Sequence, residues 1–355
     1  MLVTKMFPYW LFFLVIPVFW VLDRDLKTLK GRRLWVGLMI STILFIGLRY
    51  RVGCDWQDYA DLFNAIRLQR DFGMDSLRAA LSWGPTYLAL NWVAAKIGGG
   101  VYLVNLVCAA LAISGLAIFC RALPNPWVGW AIAFPYFTTV VCMGYTRQSV
   151  AIGLFFGGLE LLKRNKVMAY AALIILAGTF HITALALLPL LIFPLIAQRK
   201  WGIVAIIFIF SIILAVITLP DVVNQLHGYA AAGQTSKGAI IRALMTAFPA
   251  LLLLIFPRLW DSQSLTLWRP LAVVALLVLV LVLFASTAVD RIGLYLLPLQ
   301  VFVWGRLPSL PLLKPYRQHL TLLLFSYSGL VLWVWLTFSL NARCWIPYRT
   351  ALFYS

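Results

Sequence analysis

The chain has 355 residues, 63% of them hydrophobic and 11% charged, with a mean hydropathy of +0.94 and a net charge of +18. Soluble domains are roughly a quarter charged, so a water-soluble fold is excluded; continuously apolar runs such as 271–284 also exclude an outer-membrane barrel, whose strands alternate apolar and polar residues. Nucleic acid is excluded as a partner, because the basic residues sit in short clusters between apolar runs, the pattern that holds loops in the cytoplasm.

The first apolar run, 7–22, has one leading Lys5 and no small-residue cleavage site, so it is expected to span the membrane and not to be cleaved as a signal. Arg24, Lys27, Lys30, Arg32 and Arg33 place the next loop inside, and 34–48 returns to the outer face. A long polar segment, 49–83, follows. It holds Asp55, Asp58, Asp61, Asp71 and Asp75, five of the eleven acids. Between it and Arg121 the charge rule demands an odd number of crossings. The Gly98-Gly99-Gly100 break therefore predicts a re-entrant helix over 84–97 and one span over 101–120. Further spans are expected at 127–143, 148–162, 167–180, 182–197, 201–219, 240–257, 270–288, 292–305 and 319–338. Lys163, Arg164 and Lys166, then Arg199 and Lys200, then 258–269 and 306–317, lie inside. The expectation is an all-α polytopic membrane protein of a cytoplasmic-type membrane with about 12 spans, some short or tilted. No linker, repeat or low-complexity tract divides the chain, so one domain is expected over 1–355.

This topology puts the chemically unusual residues on the outer face. Arg49 ends a span, and Arg51, Gly53, Asp55 and Tyr59 follow in R-Y-R-V-G-C-D-W-Q-D-Y. The glycine lets the chain fold back, so that arginine and carboxylate can meet an anion or a sugar. Asp55 beside Arg49 and Arg51 is expected to stay ionised. Arg147 and Gln148 open a helix, where free N–H groups and a guanidinium suit a phosphate; a snorkelling anchor is the competing reading. His181 lies in an apolar stretch, where a polar side chain is expensive and functional by default. Asp290 and Arg291 are adjacent and so face different partners. Tyr348 and Arg349 lie in the tail segment C-W-I-P-Y-R, 344–349. Glu160, the only glutamate, falls near the inner face, so a base on the outer face has to be an aspartate or His181. The five cysteines, 54, 108, 120, 142 and 344, have no C-x-x-C spacing; no metal or redox cluster and no cofactor are expected.

The order R-x3-G-x-D-x3-Y (Arg49, Gly53, Asp55, Tyr59), then R-Q-x2-A (Arg147, Gln148, Ala151), an isolated His181, a late Arg291, and P-Y (Pro347, Tyr348) resembles the EpsG family of Wzy-like polymerases of bacterial exopolysaccharide, capsule and O-antigen. The resemblance runs through essentially the whole chain. It implies a GT-C-like membrane glycosyltransferase of the bacterial inner membrane. Such enzymes take a glycan from an undecaprenyl pyrophosphate carrier and add it to another lipid-linked repeat unit on the outer face. The implied partners are that lipid-linked glycan, membrane lipid and a chain-length regulator protein. On this reading the arginines hold the pyrophosphate and His181 or Asp55 is the general base. His181 has the better intrinsic pKa, and Asp55 then binds sugar or orients an arginine. Tyr59, Trp83 and Trp345 stack on sugar rings. A metal-dependent transferase using a polyprenyl monophosphate sugar, a lipid-linked glycan transporter and an O-acyltransferase are the alternatives.

Overall fold

The computed structural model describes residues 2–24, 26–68, 83–212 and 238–353. Among these every element is helical: α1 Leu2–Leu22, α2 Leu29–Gly47, α3 Trp56–Leu68, α4 Pro85–Lys96 and α5 Gly100–Arg121. Next come α6 Pro126–Ala133, continued by a wider π-helical stretch Phe134–Val141 and a last turn Cys142–Gly144, then α7 Thr146–Lys163 and α8 Val167–Phe180. A 3-10 helix Ile182–Leu191 runs into α9 Ile192–Ala197. Then follow α10 Trp201–Ile212, α11 Ala239–Ile255, α12 Ser262–Leu281, α13 Ser286–Gly293, α14 Leu297–Arg306 and α15 Arg317–Phe338.

Five helical stretches are long and apolar enough to cross a membrane: Lys5–Leu22, Gly100–Arg121, Pro126–Gly144, Ser262–Leu281 and Pro311–Phe338. The protein is therefore a multi-pass helical membrane protein. Four further apolar helices, Val167–Phe180, Ile182–Ile196, Trp201–Ile212 and Ala239–Ile255, are shorter. Helix α2 carries charge in its first turn and α7 in its first and last, because these ends reach polar surroundings. The run expected over 270–288 ends early: α12 stops at Leu281, and Asp290 and Arg291, expected between two spans, lie on the separate short helix α13.

The centre of the bundle is α6, every residue of which is buried. Pro135 has no N–H to give its preceding turn, and the helix widens there. Helices α5 and α7 pack with their backbones in contact. A Cβ on Gly115 would overlap the Gly153 carbonyl, and one on Gly153 would overlap Ala112. Small residues are what membrane helices use to approach this closely.

Polar contacts at one end join the loops expected inside. Asn125 Nδ2 donates to Ser309 (2.8 Å) and Arg317 donates to Asn125 Oδ1 (3.0 Å). Gln263 donates to the Lys163 carbonyl (2.7 Å), and Arg306 pairs with Asp261 (2.6 Å). The other end is stitched by the C-terminal segment. Tyr50 N–H donates to the Arg349 carbonyl (2.9 Å), Gly53 N–H to the Cys344 carbonyl (2.9 Å) and Ala351 N–H to the Leu48 carbonyl (2.7 Å). A disulfide between Cys54 and Cys344 closes the seam. The sequence reading missed it, because 290 residues separate the partners and nothing local joins them.

Candidate functional site

The stitched end carries the cluster. Gly53 holds φ at +101°, and a Cβ there would overlap the Met143 carbonyl, so only glycine lets the chain turn back against the end of α6. Asp55 immediately precedes α3, which stands Tyr59 beside Trp83, the ring centroids 6.1 Å apart. Thr86 donates to Thr179 Oγ1 (2.7 Å), pinning the start of α4 to the end of α8 and so bringing Trp83 near His181.

Arg147 is the second residue of α7. Its guanidinium lies 4.7 Å from the Trp83 ring and hydrogen-bonds the Tyr59 hydroxyl. Arg291 lies 6.0 Å from the Tyr145 ring, and its carbonyl accepts from Gln148 Nε2 (2.8 Å). Both arginines act electrostatically on Asp55 and on His181. Four segments distant in sequence thus bring two guanidiniums, a carboxylate and an imidazole together.

His181 sits in the turn between α8 and the 3-10 helix, half-buried. Burial, then the charges of Arg147 and Arg291, push its pKa down to about 4, so the ring is neutral at physiological pH. Its Nδ1 meets Thr183 Oγ1 at 2.6 Å, and Thr183 Oγ1 meets the Tyr295 hydroxyl at 2.9 Å. Asp55 was expected to be held ionised by Arg49 and Arg51. Instead burial raises its pKa, Asp58 adds to the rise, and the lowering charges are Arg291 and Arg147. Arg49 and Arg51 precede it in sequence, but folding aims them elsewhere.

Several residues expected at the ligand have other positions. Arg49 is 0% exposed. It donates to the Ile46 carbonyl (2.8 Å), Thr146 Oγ1 (2.8 Å), the Val52 carbonyl (3.2 Å) and Asn105 Oδ1 (3.4 Å). It is a strut that fixes the end of α2 to the first turn of α7, because a buried guanidinium has to fill its donors. Tyr348 donates to the Phe45 carbonyl (2.6 Å) and stacks on Phe45. Trp345 is 3% exposed and donates to the Thr139 carbonyl (2.8 Å), which leaves no face for a sugar. Gln148, 3% exposed, is a clamp on the backbone of Arg291. Arg51 is exposed, its guanidinium 5.4 Å from the Tyr50 ring, and Arg349 joins the seam through its carbonyl. Asp290 is taken by Arg242. Asp71, Asp75, Asp221 and His227 lie outside the described residues.

Arg242 was not foreseen. A charge near the start of an apolar helix was the available signal, and it reads equally well as a snorkelling end. Thr183 and Tyr295 gave no signal, since both belong to apolar runs.

The likeness to known proteins is confined to the family level. No curated protein and no solved structure matches the chain. A family comparison matches residues 32–350, which include all the clustered residues above, and by that match the protein belongs to the EpsG family.

Proposed function

We propose that this protein is a polysaccharide polymerase: a GT-C-like glycosyltransferase with about 12 crossings, in the bacterial inner membrane. It transfers a glycan from an undecaprenyl pyrophosphate carrier to another lipid-linked repeat unit. Membership of the family supports the coarse part, a polysaccharide polymerase-like membrane protein. The observation that carries the finer part is the pairing of Arg147 with Arg291 around Asp55 and His181. Two planar forks suit a diphosphate, which presents several oxygens and leaves with negative charge. His181, neutral and beside them, takes the acceptor's hydroxyl proton. Asp55 binds sugar hydroxyls or orients the arginines, and the half-buried Trp83 offers an aromatic surface; Tyr59, expected to stack on sugar, is 6% exposed and packs against Trp83 instead. Once the diphosphate offsets the arginines, the part of the His181 pKa depression that comes from their charge is relieved, while the larger part that comes from burial remains.

The disulfide between Cys54 and Cys344 supports an outward-facing site, since such bonds persist in oxidising compartments. The test is the purified protein in nanodiscs with a polyprenyl diphosphate-linked oligosaccharide. A ladder of products spaced by one repeat unit is expected. Transfer of a single sugar from a polyprenyl monophosphate donor, dependent on a divalent metal, would favour the alternative transferase instead.

A further inference from the structure

We propose that the inner end of the bundle holds a binding site for an aminophospholipid, a lipid whose phosphodiester headgroup carries a primary ammonium. The proposal does not rest on the polymerase reading. The site lies at the end of α7 and Arg147 at its start, roughly 20 Å apart along the helix.

A cavity of about 230 Å³ lies between the last turns of α5, α7 and α14, the start of α12 and the short helix α9. The basic loops beside these ends, 163–166, 199–200, 258–269 and 306–317, put it on the inner face. Its buried wall is aromatic and already built. Trp268 stacks on Phe302 with ring centroids 4.3 Å apart, and Phe119 meets Trp268 edge-on at 6.0 Å. An apolar cavity of about 150 Å³ takes a benzene ring, so this one has room for the first part of an acyl chain.

The mouth is charged. Among the described residues that line the cavity, Glu160, Lys163 and Arg306 are ionic. Arg306 uses one nitrogen on the protein: Nη1 donates to Asp261 Oδ2 (2.6 Å) and to Ser264 Oγ (2.9 Å). Its Nε and Nη2 donate to no described group, and that edge of a guanidinium grips two phosphate oxygens at once. Glu160 is 8% exposed and makes no hydrogen bond among the described residues. Its one ion pair, with Lys163 Nζ, is stretched to 4.0 Å, beyond hydrogen-bond reach, and Arg164 and Arg306 act on it from farther off. A nearly buried carboxylate short of donors is costly. A primary ammonium brings three.

Charge balance selects the headgroup. Asp261 offsets Arg306 and Glu160 offsets Lys163, so a zwitterion fits the mouth and a net anion would set negative charge against Glu160. Phosphatidylethanolamine has both parts: its phosphate meets Arg306 and Lys163, its ammonium meets Glu160, and a chain runs along the aromatic wall. A choline headgroup is also zwitterionic but donates no hydrogen bond. A glycerol headgroup has no cation. Arg306 and Lys163 therefore anchor any phospholipid, and Glu160 is the residue that chooses among them.

Competition tests this on the full chain, stripped of lipid in detergent and given equal amounts of dioleoyl phosphatidylethanolamine, phosphatidylcholine and phosphatidylglycerol. Native mass spectrometry reads which lipid stays bound. The ethanolamine lipid should exceed each of the others by roughly tenfold, the scale of one charge-assisted hydrogen bond. It should also raise Tm more than the choline lipid does, since a ligand of the folded state stabilises it. Glu160→Gln should bring both readouts down to the choline level, and Ala122→Phe, which puts a ring into the cavity, should release all three lipids. Glycerophosphoethanolamine, the headgroup without chains, should fail to displace the lipid at equal concentration; displacement would make the ligand a soluble phosphoester and overturn the assignment. Equal retention of the ethanolamine and choline lipids by the wild-type protein overturns it too, as does an excess of the glycerol lipid or an unchanged preference in Glu160→Gln. The wild-type competition needs no variant, so a substitution that misfolds leaves the test intact.

Discussion

Arg242 grips Asp290 with two charge-assisted hydrogen bonds, Nε to Oδ1 at 2.7 Å and Nη2 to Oδ2 at 2.6 Å. The residue after Asp290 is Arg291, whose carbonyl is held by Gln148. The short helix α13 is thereby clamped on both sides, and the aim of the Arg291 guanidinium follows from the clamp. The side chains of the pair are 20% and 16% exposed, so water screens it in part. Arg242→Ala removes the guanidinium from the carboxylate and is expected to cost roughly 1–3 kcal/mol, below the usual penalty for breaking a fully buried pair. Thermal unfolding in detergent measures this. Arg242→Gln with Asp290→Asn should recover most of the stability but still bind the diphosphate more weakly, because the clamp is looser. Equal binding by the double variant would mean that α13 is held by something else.

Arg147→Lys keeps the charge and loses the fork that meets Tyr59 and an oxyanion together. Polymer formation should fall by about 10-fold to 100-fold, the scale of losing one preorganised donor. Polymer length on a gel is the readout. Full-length product at a normal rate would make Arg147 an interfacial anchor.

The pH profile separates the two candidate bases. The pKa of His181 is about 4, below its ordinary 6.5, so the ring stays neutral until the pH falls to about 4. The acid limb of kcat/KM, which reports the free enzyme, should lie near that value. The acid limb of kcat should lie higher, since bound diphosphate offsets Arg147 and Arg291. By linkage, the folded protein holds this proton more weakly than the unfolded chain, so acid destabilises it between pH 6.5 and about 4. His181→Gln should abolish the limb along with most turnover. If instead His181→Gln keeps turnover and limb while Asp55→Asn loses both, the carboxylate is the base.

Cysteine chemistry checks the seam and its compartment. Cys108, Cys120 and Cys142 are free and buried, and Cys54 is bonded to Cys344. Denatured protein kept from reductant should take three maleimides, and reduced protein five. In intact cells an impermeant maleimide should label Asn64→Cys, on the exposed side of α3, and spare Asn165→Cys in the basic loop after α7. The reverse labelling would put the cluster in the cytoplasm.

Much of the fold is legible along the chain, because the membrane demands it. Each crossing has to satisfy its own backbone, so apolar runs read out as helices. The runs 127–143, 148–162 and 167–180 differ from the observed helices only at their ends. The early end of the 270–288 run was not legible, since nothing in its composition marks the break before Ser286.

The sequence by itself determined that this is a helical membrane protein of the EpsG family, and it singled out Asp55, Arg147, His181 and Arg291 by their chemistry in apolar company. Only the tertiary structure decided that these four share one site while Arg49, Tyr348 and Trp345 hold the scaffold. A guanidinium or an indole has the same donors wherever it lies in the chain. Whether those donors face a ligand or a carbonyl is set by which helix ends fold together. Arg49 meets Thr146 across 97 residues and Tyr348 meets Phe45 across 303, separations over which local pattern carries no information.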